Sequence, residues 1–288
     1  MKPFEYLDPK NLEDACTVLS RYHDEAKIIA GGQNLLVILG KRLISPKYLI
    51  SIKRCSDIEY IKEQDGCLKL GALTTHRTIE NSDLIRQKVP MLTNLEYNLG
   101  CVQTRNWGTI GGNLSQASPA TDLAPALIAL GARCQLQSVR GTRTMSLEDF
   151  FVDYRTTALA TDEILVELEV PVPPPYTAGI YRKEAVRFAD PPIASVAVVV
   201  SIDKQGIVKS ARIVLQAVGV TPIRAREAEK VLIEKKVEDK LLDVAATMAA
   251  REAKPISDVY GTAEYKREMV KVLTRQNISE AIRQVQAT

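Results

Sequence analysis

Two pairs of adjacent glycines most constrain what this chain can fold into. Gly31-Gly32 follows the apolar run 27–29 and precedes a second apolar run at 35–39, an order that predicts a strand, a glycine turn and the start of a helix. Gly111-Gly112 lies in the stretch Thr109-Ile110-Gly111-Gly112-Asn113. Because glycine has no Cβ, backbone N–H groups at such pairs can approach a ligand closely and φ can be positive. The two pairs together predict two loops that hold phosphate groups.

Neither loop matches the common nucleotide-binding patterns. The spacing is not that of glycines at positions one, three and six, and no Gly-Lys-Ser/Thr follows. Downstream, Ala117-Ser118-Pro119 and Thr121-Asp122 precede the apolar run 123–130, which places Thr121 and Asp122 at the start of a helix. From its position alone, Asp122 is either a helix cap or first-turn charge, or a ligand-binding carboxylate.

These motifs resemble the flavin subunit of molybdenum hydroxylases, the family of xanthine, nicotinate and carbon monoxide dehydrogenases. The resemblance runs from Ala30 to about Asp190. In that family an AGG-type loop and a TIGGN loop hold FAD. The residues to which the resemblance gives a role in FAD binding are Ala30, Gly31, Gly32, Gln33, Asn34, Thr109, Gly111, Gly112, Asn113, Gln116, Thr121, Asp122, Leu165 and Lys183.

The segment around Lys183 resembles the family in one respect and departs from it in another. Lys183, the basic Arg187 and Asp190 follow the family's order, in which the lysine lies near the flavin ring. The alternative for Lys183 is a solvated position on an edge strand. Family members often place an aromatic or aliphatic residue against the flavin after that Asp, but this chain has Pro191-Pro192. The resemblance therefore assigns no residue to shield the flavin ring.

Composition excludes several classes of partner. Charged residues make up 25% of the chain and sum to +3, without the basic stripe of a nucleic-acid binder. No apolar run reaches the roughly 20 residues that span a bilayer, and the N-terminus lacks a signal pattern. We therefore expect a cytoplasmic protein without a membrane span. The five cysteines have no metal-ligand spacing, so we expect no metal on this chain.

The apolar periodicity predicts an α+β fold. The resemblance makes residues 1–175 a two-part FAD-binding domain, with a small α/β subdomain at about 1–56 and a larger α/β subdomain at 57–175. The proline-rich segment 171–175 is the clearest break in composition and marks the domain boundary. Residues 176–288 are predicted to form a C-terminal α+β domain, with a three-stranded antiparallel sheet followed by helices.

The function implied by the resemblance is that of an FAD-carrying electron-transfer subunit. It would pass electrons from [2Fe-2S] clusters on a small partner subunit through FAD to an external acceptor. The molybdopterin cofactor would lie on a large partner subunit, in a dimer of heterotrimers. Two alternatives remain at this point: a stand-alone FAD-dependent oxidase or dehydrogenase, and a non-enzymatic scaffold.

For two further side chains the sequence favours a role outside the chemistry of the site. His76 is the only histidine near a predicted functional segment, and a lone histidine at a helix start favours a structural or solvated role over proton transfer. Trp107, the sole tryptophan, is predicted to anchor the second glycine loop against the core rather than stack on the flavin.

Overall fold

The computed structural model describes residues 1–287. The helices are α1 (Leu12–Tyr22), α2 (Leu35–Gly40), α3 (His76–Glu80), α4 (Asp83–Lys88), α5 (Pro90–Tyr97), α6 (Val102–Trp107), α7 (Ile110–Ser115), α8 (Leu123–Ala129), α9 (Leu147–Phe150), α10 (Arg226–Leu232), α11 (Asp239–Glu252) and α12 (Ala263–Gln286). The strands are β1 (Glu5–Leu7), β2 (Ala26–Ile29), β3 (Tyr48–Ser51), β4 (Ile61–Gln64), β5 (Cys67–Gly71), β6 (Arg133–Ser138), β7 (Gly141–Ser146), β8 (Phe151–Asp153), β9 (Thr156–Thr157), β10 (Ile164–Pro171), β11 (Thr177–Glu184), β12 (Ala194–Ile202), β13 (Val208–Gln216) and β14 (Ile223–Arg224).

The N-terminal unit is a three-stranded parallel sheet in the order β1-β3-β2. Helix α1 begins where the Asn11 side chain accepts a hydrogen bond from the Asp14 amide, which satisfies one of the free N–H groups of the first turn. Its buried residues, Leu12, Ala15, Cys16 and Leu19, recur at helical spacing and pack against the sheet. The elements of this unit follow in the order β1-α1-β2-α2-β3, and β2 and α2 flank the first glycine pair, as predicted.

The second unit is a five-stranded antiparallel sheet in the order β4-β5-β10-β6-β7. Residues on both faces of its central strand, β10, are buried because helices and the N-terminal unit cover them. Glu167 on this strand is buried. Its carboxylate accepts a hydrogen bond from the Tyr60 hydroxyl at 2.5 Å and forms an ion pair with Lys69 Nζ, 3.5 Å away. Strand β7, at the edge of this sheet, lacks the alternation of apolar and polar residues by which a half-buried strand is recognised in a sequence.

The C-terminal sheet has four antiparallel strands in the order β11-β12-β13-β14, not the three that were predicted. The missed strand, β14, is two residues long, too short to show a period of two. Helices α10, α11 and α12 cover one face of this sheet. On the other face, Ala197 and Val214 join the core of the second unit. None of the helices within residues 1–287 is long and apolar enough to cross a membrane.

Candidate functional site

A cavity of about 700 Å³ brings the two glycine pairs together. Its walls come from the first glycine segment, from α7 and the segment after it, from β10, and from the C-terminal part of the chain. All the residues proposed from the sequence line this cavity except Lys183. The volume suits an organic cofactor of substantial size.

The first glycine pair forms a turn, as predicted, and its two members have different tasks. Gly32 has a φ of +71°, a conformation that residues with a Cβ rarely adopt. A Cβ on Gly31 would lie 1.7 Å from the carbonyl oxygen of Trp107, so Gly31 allows this turn to cross the end of α6. The backbone N–H groups of Gly32, Gln33 and Asn34 donate to no other group within residues 1–287. They are therefore available to an anionic ligand.

The second glycine pair is not a loop. It lies in the first turn of α7, which Thr109 caps by accepting a hydrogen bond from the Gly112 amide at 3.2 Å. The Gly111 amide donates to the Ala72 carbonyl at 2.9 Å. The expectation that this pair offers its amides to a ligand at positive φ is therefore wrong, because the chain's own oxygens accept both hydrogen bonds and neither φ is positive.

The second glycine pair provides space, because neither residue has a side chain to occupy it. A Cβ on Gly111 would lie 2.6 Å from the Ala72 Cβ, so this glycine permits close packing of α7 on the chain that follows β5. A Cβ on Gly112 would meet only the Thr109 hydroxyl within 4 Å, and Gly112 lines the cavity. The missing side chain of Gly112 therefore keeps part of the cavity open.

Two buried polar atoms in the cavity wall have no partner within residues 1–287. They are Oδ1 of Asn113, an acceptor, and Nε2 of Gln116, a donor. A buried polar atom without a partner costs roughly 1 to 3 kcal/mol, so native structures seldom tolerate one unless a ligand or water meets it. Both residues face the cavity from α7 and its C-terminus. The cavity therefore fits a ligand that carries both donors and acceptors, as FAD does.

Asp122 does not cap α8. It occupies the residue before the helix but makes no capping hydrogen bond. Its carboxylate instead accepts from the Tyr181 hydroxyl and from Lys183 Nζ, the latter at 3.0 Å. Burial raises the pKa of Asp122, and the Lys183 ammonium opposes that rise. Burial also raises the pKa of Tyr181, which keeps its hydroxyl protonated as the donor.

Lys183 is not on a solvated edge, which had been the alternative. Its side chain is 7% exposed. Besides Asp122, its ammonium donates to the carbonyls of Asn98 at 3.1 Å and Asp190 at 2.9 Å. Lys183 stands behind Asp122 and joins β11 to the helical part of the second unit. Asp122 is among the residues that line the cavity, whereas Lys183 is not.

His76 has the structural role that its sequence position favoured, whereas Trp107 does not lie where it was predicted. His76 is buried, and its Nδ1 lies 2.9 Å from a carboxylate oxygen of the fully buried Glu96. Burial raises the pKa of Glu96, and the imidazole opposes that rise. The residue is thus structural, yet it also lines the cavity. Trp107 is 53% exposed beneath the Lys53 ammonium, 4.5 Å from its ring, so it does not anchor in the core.

Sequence reasoning missed other residues in the wall. Lys27, Arg155 and Tyr260 line the cavity as well. Arg155 has a φ of +52°, which places it in a tight turn after β8, but nothing in its neighbouring sequence indicates a site. Tyr260 lies far along the chain in a loop between α11 and α12, and only the folding of the C-terminal part brings it to the cavity.

Comparison with known proteins agrees with this geometry. Residues 2–173 match the family model described as the FAD binding domain in molybdopterin dehydrogenase, and residues 180–281 match the CO dehydrogenase flavoprotein C-terminal domain. The chain is 35% identical to the glyceraldehyde dehydrogenase medium chain of Sulfolobus acidocaldarius, over 96% of this chain and 98% of that one. It is 32% identical to the carbon monoxide dehydrogenase medium chain of Afipia carboxidovorans, over 96% of both.

Solved structures give the same answer for the fold. The carbon monoxide dehydrogenase of Hydrogenophaga pseudoflava superimposes with a TM-score of 0.95, at 31% identity over 98% of both chains. Quinoline 2-oxidoreductase from Pseudomonas putida 86 superimposes with a TM-score of 0.93, at 30% identity over 99% of both chains. The fold and its cavity define an FAD-binding oxidoreductase subunit. The chain belongs to the family of FAD-binding subunits of molybdopterin dehydrogenases.

Proposed function

We propose that this chain holds FAD across the cavity and passes electrons from [2Fe-2S] clusters on a partner subunit to an external acceptor. The observation that carries the proposal is the joining of both glycine pairs in one cavity whose wall contains unpaired donors and an unpaired acceptor. When bound, FAD supplies the electron-carrying chemistry. The chain's own residues bind it, orient it and exclude water.

The residues proposed for FAD binding then divide by what they offer. The free amides of Gly32, Gln33 and Asn34 face the pyrophosphate, and Gly112 leaves room for it. Asn113 supplies an acceptor for the cofactor's hydroxyl or amide groups. The further residues that we propose to contact FAD are Ala30, Gly31, Thr109, Gln116, Thr121, Asp122 and Leu165, while Gly111 seats α7 against Ala72 and Lys183 holds Asp122 in place.

We place the boundary between the FAD-binding domain and the C-terminal domain at residue 175, with subdomains of the former at about 1–56 and 57–175. The similar chains are called medium chains or subunits, which supports assembly with other subunits. We propose a large molybdopterin subunit and a small iron-sulfur subunit, in a dimer of heterotrimers located in the cytoplasm. Substrate hydroxylation then takes place on the large subunit.

The test is purification of the chain from its native source, followed by a visible spectrum and identification of the proteins that accompany it. We expect a flavin spectrum and two unlike partner subunits. A folded, flavin-free chain that cannot be reconstituted with FAD would contradict the proposal. A yellow chain that purifies alone and turns over a substrate would instead identify a stand-alone flavoenzyme.

A further inference from the structure

One aromatic side chain extends into the cavity from the C-terminal part of the chain. Among the cavity-lining residues within 1–287, Tyr260 is the only phenylalanine, tyrosine or tryptophan. Its side chain is about half exposed in the absence of a ligand. The ring is thus available to a planar partner in the cavity.

The loop that carries Tyr260 is held in place from both sides. The Tyr260 amide donates to Oδ1 of Asp258 at 2.9 Å, and the other oxygen of Asp258 accepts from Lys266 at 2.6 Å. Lys266 is almost fully buried on α12, and its ammonium lowers the pKa of Asp258. Nearby, the Tyr265 hydroxyl donates to Glu184 at the end of β11. These contacts fix the backbone of the loop that carries Tyr260.

The neighbours of Tyr260 indicate which part of the cavity it serves. Ala189 and Pro191, from the segment after β11, line the cavity as well, and a Cβ built on Gly261 would lie 3.8 Å from the Ile193 side chain at the end of that segment. Pro191 has no π face, so it offers no stacking surface. The same segment contacts the buried Asp122–Lys183 pair, because Lys183 Nζ donates to the Asp190 carbonyl.

We infer that Tyr260 stacks on the isoalloxazine ring and shields the face that Pro191-Pro192 leaves without an aromatic cover. The inference rests on the proposed binding of FAD in this cavity. Aromatic rings prefer offset-stacked or edge-to-face contact with a flat π system, and the isoalloxazine provides one. Tyr260 is thus a positioning residue for the cofactor, contributed by the C-terminal domain to a site whose glycine pairs lie in the N-terminal units.

The experiment uses the full chain reconstituted with FAD and compares Tyr260→Leu, Tyr260→Phe and Tyr6→Leu. Tyr6 is a matched control, because it is similarly exposed on β1 and does not line the cavity. The two readouts are the Kd for FAD and the fluorescence lifetime of the bound flavin. A phenol in contact with an isoalloxazine quenches its fluorescence, whereas a phenyl ring in the same place does not.

We expect Tyr260→Leu to bind FAD about tenfold more weakly, equivalent to about 1.4 kcal/mol, and to lengthen the flavin lifetime. Tyr260→Phe should lengthen the lifetime with little loss of affinity, and Tyr6→Leu should change neither. Unchanged flavin lifetimes in both Tyr260 variants would overturn the inference. This holds even if the affinity for FAD falls, because the Tyr260 ring would then contact a part of FAD other than the isoalloxazine. A wild-type chain that binds no FAD would overturn the proposed function, and the inference with it.

Discussion

Replacing Gly112 with valine should remove FAD while leaving the chain folded. Gly112 lies in the first turn of α7 with a φ that is not positive, so valine meets no forbidden backbone conformation. Within 4 Å its Cβ would meet only the Thr109 hydroxyl, at 2.9 Å. Displacing that cap costs about 0.5 to 2 kcal/mol, and the better helix propensity of valine offsets roughly 0.5 kcal/mol of it. The net change in unfolding free energy should stay below about 2 kcal/mol.

The effect on the ligand should be larger, because Gly112 lines the same cavity as the free amides of the first glycine turn, and a branched side chain there takes up space that the ligand needs. A hundredfold loss of affinity corresponds to about 2.8 kcal/mol. The assay is the ratio of flavin to protein absorbance after gel filtration, with the melting temperature of the apo chain measured in parallel. A folded Gly112→Val chain with full flavin content would refute the reasoning.

Gly111→Ala provides the matched control for this prediction. Its Cβ would lie 2.6 Å from the Ala72 Cβ and 2.8 Å from the Ala72 carbonyl oxygen. Overpacking of this kind costs about 1 to 3 kcal/mol. We therefore expect a lower melting temperature with flavin retained by the folded fraction, the reverse of the Gly112 result.

Three further predictions concern charge and attachment. Asp122→Ala should lower the free energy of unfolding by about 3 to 5 kcal/mol in urea titrations, because it leaves the Lys183 ammonium buried without its carboxylate; a loss of flavin without any loss of stability would contradict this. Arg143 lowers the pKa of Glu163, so the stabilisation that their pair provides is present above the unfolded-state pKa and disappears as pH falls through the folded one. Arg143→Gln should accordingly reduce the melting temperature at pH 7 but much less near pH 3, and an equal loss at both values would exclude the ion pair as the cause. FAD should be released by acid precipitation, since no cysteine or histidine belongs to either glycine segment; if colour stays with the protein, His76 is the residue to replace, because it lines the cavity.

At the second glycine pair, the local sequence predicts the wrong secondary structure. Two adjacent glycines have poor helix propensity, so a loop was the natural expectation. The structure places them in a helix because Thr109 caps the first turn and Ala72 packs against Gly111 too closely for any side chain. Both contacts depend on the position of the chain after β5, which no pattern around residue 111 encodes.

For Asp122 and Lys183, too, the local sequence did not reveal the contact that the tertiary structure makes. Asp122 was assigned either to a cap or to a ligand, and Lys183 either to a solvated edge or to the flavin. In the structure they form a buried ion pair, with Lys183 Nζ 3.0 Å from the Asp122 carboxylate. They lie 61 positions apart in the chain, and only the packing of β11 against the second unit brings them together. Pairing of this kind has no local signature.

By itself, the sequence determined the α+β class, the order of most elements, the family and the segments that line the cavity, because periodicity and short motifs act over a few residues. The tertiary structure decided which oxygens accept the glycine amides, which charges are paired, and which residue of the C-terminal part lines the cavity. Tyr260 is the clearest case. It has no motif around it, and it lines the cavity because its loop is fixed by the buried Lys266 and because the C-terminal sheet shares a core with the second unit. Contacts between distant segments arise from burial and packing of whole faces, and these are properties of the folded chain alone.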